Sequence, residues 1–134
     1  MSGLKVDVRP DGIYVWAFMD FKRDTTDEWI CTLRQVMNEY DTRNEHLRCL
    51  AYFSESALPT PYSTSQAISM LRDRPKSLSI SAAMISENSL MFGVVRFAMQ
   101  QAQRVDFIRL CKSEQEALAW LDERHTLFEA NGQL

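Results

Sequence analysis

A run of seven mostly apolar residues, LRCLAYF (47–53), constrains the fold more than any other part of the chain. The run has the length of a β-strand, and it does not alternate between apolar and polar residues. Such a strand is expected to be buried on both of its faces, which requires other elements to cover the sheet that contains it. The segments on either side can do so, because their apolar residues recur at the spacing of amphipathic helices.

Strands and helices are predicted to follow one another in the order β-β-α-β-α-β-α-β-α. The first two strands, LKVDVR and IYVWAFM, are joined by a Pro-Asp-Gly turn at 10–12 and should form an antiparallel hairpin. Each later helix connects two strands that can lie parallel. We therefore predict an α/β fold with a mixed, mostly parallel sheet in a single layer, flanked by helices.

The chain is expected to form a single domain over residues 1–134, with its core at 4–124 and a short C-terminal tail at 125–134. Three of the helices should begin at capping boxes, in which a Ser or Thr side chain and a Glu or Gln three residues later bond to the first backbone N–H groups. The predicted boxes pair Thr25 with Glu28, Ser63 with Gln66, and Ser113 with Glu116.

Composition and charge argue against two classes of partner. Lys and Arg number 15 against 18 Asp and Glu, for a formal net charge of −3, and the basic residues are scattered, so we expect no nucleic-acid partner. No apolar stretch approaches the roughly 20 residues of a membrane span. Three separated cysteines, with no CxxC spacing and no apolar leader, indicate reduced thiols and a cytoplasmic protein.

Few residues fit a catalytic or metal-binding motif. Gly12 and Gly93 are the only glycines inside the expected fold, so there is no glycine-rich phosphate loop, and no GxSxG sequence occurs. His46 and His125 do not have HxxxH spacing, and we expect both to face solvent. We predict no catalytic residue, no metal site and no cofactor, and hence a protein that is not an enzyme.

The third predicted helix, 88–103, is apolar around most of its circumference. It should either lie beneath its neighbours or present an apolar patch that pairs with another copy or covers a ligand cavity. The residues expected to make such contacts are Met91, Phe92, Val95 and Met99. Self-association into a homodimer is predicted from the same feature.

A hydroxyl-rich segment, ESALPTPYSTSQAI (55–68), joins the apolar strand to the second helix. Its prolines stiffen the exit from the sheet, and Ser63 is expected to cap the helix. The alternative is that Ser63, Thr64 or Ser65 accepts a phosphate or contacts a ligand, since negative charge is tolerated at a helix N-terminus. Together with Tyr62, these side chains form the second set of expected contact residues.

Two features give the chain a family resemblance. One is its ending, VDFIRLCKSEQEALAWLDE, and the other is the edge hairpin followed by a helix and then LRCLAYF. With the order of elements, they resemble a STAS-like domain, the anti-sigma-factor-antagonist fold found also in the cytosolic part of sulphate transporters. More narrowly, the chain is similar to the SpoIIAA-like STAS/SEC14 branch of small bacterial proteins. The resemblance covers about residues 4–124.

The resemblance implies a non-enzymatic regulatory domain that contacts a protein partner through the 55–66 loop and the adjacent helices. In partner-switching members of the family, a regulatory kinase phosphorylates a serine at the start of the second helix, and the matching residue here is Ser63. The preceding aspartate and following glycine of those members are absent. The SEC14-like relatives imply an alternative, a small-molecule or lipid-binding domain whose 88–103 helix lines an apolar pocket.

Overall fold

The computed structural model of the protein describes residues 2–86, 88–102 and 106–134. Within these ranges the strands and helices follow the predicted order. The strands are β1 (Leu4–Val8), β2 (Tyr14–Phe18), β3 (Leu47–Phe53), β4 (Ile80–Ile85) and β5 (Ile108–Cys111). The helices are α1 (Arg23–Arg43), α2 (Pro61–Asp73), α3 (Ser89–Ala102) and α4 (Glu114–Asn131).

The strands form one sheet in the order β1-β2-β3-β4-β5. The edge strand β1 runs antiparallel to β2, and all later neighbours are parallel. The predicted α/β fold with a mixed, mostly parallel sheet is therefore confirmed. The apolar run 47–53 is β3, at the centre of the sheet, and Leu47 and Leu50 are fully buried in different core clusters on its two faces.

The helices cover the two faces of the sheet unequally. Because the parallel strands are added in one direction, right-handed crossovers place α1, α2 and α3 side by side on the same face. That face holds the larger core, which includes stacked aromatic rings of Phe18, Phe21 and Phe53 with centroids 5.1 to 5.9 Å apart. The last helix, α4, packs on the opposite face against β4 and β5.

The first helix begins earlier than its predicted capping box. It starts at Arg23, and the preceding Lys22 makes no side-chain cap. Thr25 is fully buried; its hydroxyl donates to Asp20 Oδ1 at 2.6 Å and accepts from the Gly3 N–H at 2.7 Å. The predicted Thr25 cap is wrong because this hydroxyl instead ties the start of β1 to the loop before α1.

The last helix extends well beyond its predicted end. The Ser113 cap is confirmed, since its hydroxyl accepts from the Glu116 N–H at 3.2 Å. The predicted C-terminal tail at 125–134 is wrong, however, because α4 continues to Asn131. No Gly or Pro interrupts this segment until Gly132, whose φ of 74° ends the helix in a left-handed conformation.

The predicted third helix, 88–103, is observed as α3 with slightly different ends. The Asn88 side chain stands before the helix and accepts a hydrogen bond from the Leu90 N–H at 2.9 Å. Gln103, at the other end of the predicted range, lies outside the described residues, as does Val105 of the predicted last strand. Among the helices of the described ranges, none combines the length and apolarity needed to cross a bilayer.

Candidate ligand-binding cavity

A cavity of about 120 Å³ lies between the sheet and the layer formed by α1, α2 and α3. Its walls are almost entirely apolar, with side chains from β2 to β5 below and from the three helices above. Apolar cavities of about 150 Å³ remain dry and accept a benzene-sized molecule. The volume between the two layers is therefore suited to a single ring or a short branched chain.

Small side chains on both layers leave this space open. Ala51 of β3 and Ala82 of β4 point from the sheet into the cavity, and Ala98 of α3 approaches from the helical layer. Protein interiors are normally packed to crystal density, so larger residues at these positions would fill the gap. With Ala67 of α2, four alanines that are distant in sequence line the cavity.

Helix α3 forms much of the upper wall. Three of the four α3 residues that the sequence singled out line the cavity: Met91, Val95 and Met99. The fourth, Phe92, is half-buried but does not line it, and the Arg96 guanidinium lies 5.9 Å from its ring centroid. Methionine side chains are flexible and polarisable, so this wall can adapt to the shape of a bound molecule.

Two weakly polar side chains of the sheet belong to the cavity wall. The Trp16 indole is 2% exposed, and its Nε1–H makes no hydrogen bond of ordinary geometry with any described residue. The thiol of Cys49 lies nearby. Burial raises the pKa of this thiol to about 12, and the Trp16 indole acts in the opposite direction by lowering it. The thiol therefore remains neutral at physiological pH, and it is a weak hydrogen-bond acceptor.

A groove between α2 and α3 lies outside the cavity on the solvent side. Pro59, Thr64 and Val94 belong to the walls of both, so the cavity and the groove adjoin at the seam where α2 meets α3. Phe97 on the outer side of α3 is 52% exposed and lines the groove.

The hydroxyl-rich segment begins α2 differently from the prediction. The cap is Thr60, whose hydroxyl accepts from the Ser63 N–H at 3.0 Å, and the Ser63 hydroxyl in turn accepts from the Thr60 N–H at 2.8 Å. The predicted Ser63 cap with Gln66 is wrong because Pro61 is well suited to the first helical position, where its missing N–H costs nothing. Ser63 is 3% exposed, so its hydroxyl is part of the cap rather than of the surface.

The remaining hydroxyls of this segment have different surroundings. Tyr62 donates to a carboxylate oxygen of Asp27, and the guanidinium of Arg23 lies 4.3 Å from its ring centroid. The hydrogen bond to Asp27 raises the pKa of Tyr62, and the contact joins the start of α2 to α1. Thr64 is half-buried in the walls of both cavity and groove, whereas Ser65 is exposed.

A buried polar chain on the opposite face of the sheet was not predicted from the sequence. The expectation that both histidines face solvent is wrong for His46, which is 6% exposed. The chain runs from Arg124 Nε to Ser81 Oγ (2.8 Å), Ser81 Oγ to His46 Nε2 (2.9 Å), His46 Nδ1 to His125 Nδ1 (3.0 Å), and His125 Nε2 to Glu129 Oε1 (2.9 Å).

This chain fastens the end of α4 to the sheet. Ser81 is fully buried and its hydroxyl accepts from Arg124, so the serine is engaged within the protein rather than presented to a substrate. The Phe128 ring stacks on His46 with centroids 5.3 Å apart. A stripe of Leu121, Arg124 and Phe128 at helical spacing is the signal that could have revealed this contact, had the helix been extended past His125.

Within the described residues, no group of three or more His, Cys, Asp or Glu side chains is arranged to hold a metal ion. Comparisons of the chain with family models, with curated proteins and with solved structures find no match. The geometry of the cavity and of the surface around α2 and α3 is therefore the basis for a functional proposal.

Proposed function

We propose that the protein binds a small apolar molecule in the cavity beneath α3. The observation that carries this proposal is an internal space of about 120 Å³ with an almost wholly apolar wall, placed next to a seam between two helices. Ligand sites are usually concave, largely preformed and lined by apolar side chains with few polar groups. The cavity meets this description on a small scale.

The volume limits the size and affinity of the ligand. A ring of six or seven heavy atoms that buries about 200 Å² gains about 5 kcal/mol at roughly 25 cal/mol per Å², which corresponds to a dissociation constant on the order of 0.1 to 1 mM. The acyl chain of a lipid is larger than this cavity. The SEC14-like resemblance implied either a small molecule or a lipid as the ligand. A small molecule fits the cavity in the observed structure, whereas a lipid would require α3 to move outward.

A cavity-filling variant tests the proposal. Ala98→Leu adds three carbon atoms to the cavity wall, so toluene binding, followed by NMR titration, should weaken at least tenfold, because the site is already occupied by protein. Ala119→Leu on the exposed surface of α4 is the matched control and should bind toluene like the wild type. Unchanged binding by Ala98→Leu, or no binding by the folded wild type, would contradict the proposal.

A protein-interaction role is a second candidate, favoured by apolar side chains on the surface beside the 55–66 loop. Leu58 in this loop is 52% exposed, and Phe97 of α3, which lines the groove together with Pro59, is also 52% exposed. Large apolar residues at the surface commonly mark contact sites. The STAS-like assignment stays a prediction, supported by the order of elements, and a cytoplasmic regulatory role with a protein partner depends on it. The predicted homodimer likewise stays a prediction.

Phosphorylation within this second role is constrained by burial. A kinase could modify Ser63 only after the first turn of α2 opened, because the hydroxyl is engaged in the cap with Thr60. Ser65 is the exposed serine two positions later. A regulatory phosphate at the start of α2 is therefore more accessible at Ser65 than at the position matched by family resemblance.

The second candidate predicts a loop-specific loss of partner recovery. Leu58→Ser removes the apolar side chain from the loop, so a pull-down from lysate should recover several-fold less of any specific partner. Leu127→Ser is the matched control, because Leu127 is similarly exposed, at 47%, on α4. Equal recovery by both variants would count against an interface at the 55–66 loop.

A further inference from the structure

We infer that the ligand of the cavity beneath α3 carries a neutral hydrogen-bond acceptor, such as a ketone or ether oxygen, that is recognised by the indole N–H of Trp16. This inference rests on the proposed binding function and adds the chemical class of the ligand. Two observations support it: within the described residues the buried donor forms no ordinary hydrogen bond, and the Cys49 thiol, the wall group that interacts with it, is a weak acceptor.

The donor is an exception among buried polar groups. Trp16 lies in the interior strand β2, its ring is 2% exposed, and its Nε1–H forms no ordinary hydrogen bond within the described residues. Buried indole N–H groups usually find an acceptor, and leaving one unpaired is unfavourable. An indole N–H that is unpaired in the free protein can gain its hydrogen-bond acceptor from a bound ligand.

The neighbouring polar groups do not supply that acceptor. The Cys49 thiol is neutral and accepts only weakly. The Ser63 hydroxyl is occupied, because it accepts from the Thr60 N–H and donates to the Thr60 carbonyl at 3.0 Å. An oxygen on the ligand would therefore be a better acceptor for the indole than either of these groups.

The wall also favours a neutral ligand over an anionic one. The charged residue of the described lining is Arg74, whose guanidinium stands 4.7 Å from the Phe107 ring centroid and donates to the Leu71 carbonyl at the end of α2. A carboxylate beside Trp16 would lose its hydration among apolar side chains, which is far more costly than burying a ketone. The single indole donor matches a single neutral oxygen.

A pair of ligands with the same shape tests the inference. Cyclohexanone and methylenecyclohexane differ in having C=O or C=CH₂ at one position, and their dissociation constants can be measured by NMR titration of the 134-residue chain. Trp16→Phe removes the N–H but keeps an aromatic ring. The preference for the ketone over the hydrocarbon should fall by about threefold to tenfold in this variant, the effect of one net hydrogen bond.

Trp120→Phe is the matched control, because Trp120 lies on α4 at the opposite face of the sheet and does not line the cavity. Its ligand preference should equal that of the wild type. An unchanged preference in Trp16→Phe, with both ligands still bound, would overturn this inference and leave the proposed function standing. Failure of both ligands to bind the wild type would instead overturn the proposed function.

A second measurement uses the wild type alone and does not depend on the folding of a variant. The Trp16 Nε1–H proton resonance should move downfield when cyclohexanone is added and stay in place with methylenecyclohexane, because only the ketone accepts its proton. Spectra of Trp29→Phe and Trp120→Phe assign the three indole signals of the chain. No ketone-specific shift at Trp16, with the ketone bound, would also overturn the inference.

Discussion

His46 is held in its neutral form by its surroundings. Burial lowers its pKa to about 3, with further lowering from the positive charges of Arg48 and Arg124 and from His125. The hydrogen bonds around it agree with a neutral ring: Ser81 can donate to Nε2 while Nδ1–H donates to His125, and His125 can then donate to Glu129. Protonation of His46 at Nε2 would remove the acceptor for the Ser81 hydroxyl.

This shift predicts a loss of stability in mild acid. Because the folded-state pKa of His46 lies below the ordinary value of about 6.5, the unfolded chain binds more protons between pH 6.5 and 3. The free energy of unfolding should therefore fall as the pH drops through this window, by at most about 1.4 kcal/mol per pH unit from this group. Urea unfolding at pH 7.5 and pH 5 measures the effect.

His46→Gln isolates the contribution of this side chain. The variant loses some stability at every pH because its hydrogen bonds change, but its free energy of unfolding should depend less on pH between 7.5 and 5. Equal pH dependence in the two proteins would show that His46 is not the titrating group.

At the scale of one element, α2 is the helix that links the cavity to the surface. Its first turn contains Thr60, Pro61 and Ser63 in a reciprocal cap, and its next residue, Thr64, belongs to the walls of the cavity and of the outer groove. The cap fixes where the helix begins and hence which side chains face inward. The cap therefore helps to position the α2 side chains that line the cavity.

The cap predicts unequal effects of two conservative substitutions. Thr60→Ala removes the side-chain acceptor for the Ser63 N–H and should lower the free energy of unfolding by about 1 kcal/mol. Ser65→Ala, at an exposed position in the same turn, should change it by less than about 0.5 kcal/mol. Chemical denaturation measures the free energy of unfolding of both variants. Equal effects would argue that Thr60 does not cap α2.

At the scale of the whole molecule, local patterns predicted the elements, whereas contacts between distant elements were not predictable. The limits of β3 and the hairpin of β1 with β2 were predicted correctly because apolar periodicity and turn residues act within a few positions. The burial of His46 depends on α4, 79 residues away, and on the extension of that helix past its expected end.

The candidate site was predictable in part for the same reason. The apolar circumference of α3 indicated residues that line the cavity, including Met91 and Met99. The space itself was not foreseeable, because it lies between alanines of the sheet and of the helical layer that are distant in sequence. Nor could the unpaired indole of Trp16 be foreseen, since it reflects which neighbours surround that ring.

The strictly sequential order of the strands has a consequence for how the protein is made. Each new strand pairs with the one synthesised before it, so the sheet can grow from its N-terminal edge as the chain leaves the ribosome, without closing a long loop. The exception is α4, which is synthesised last and packs against β4 and β5 after these strands have formed. Until it does, one face of the growing sheet is left for water or a chaperone to cover.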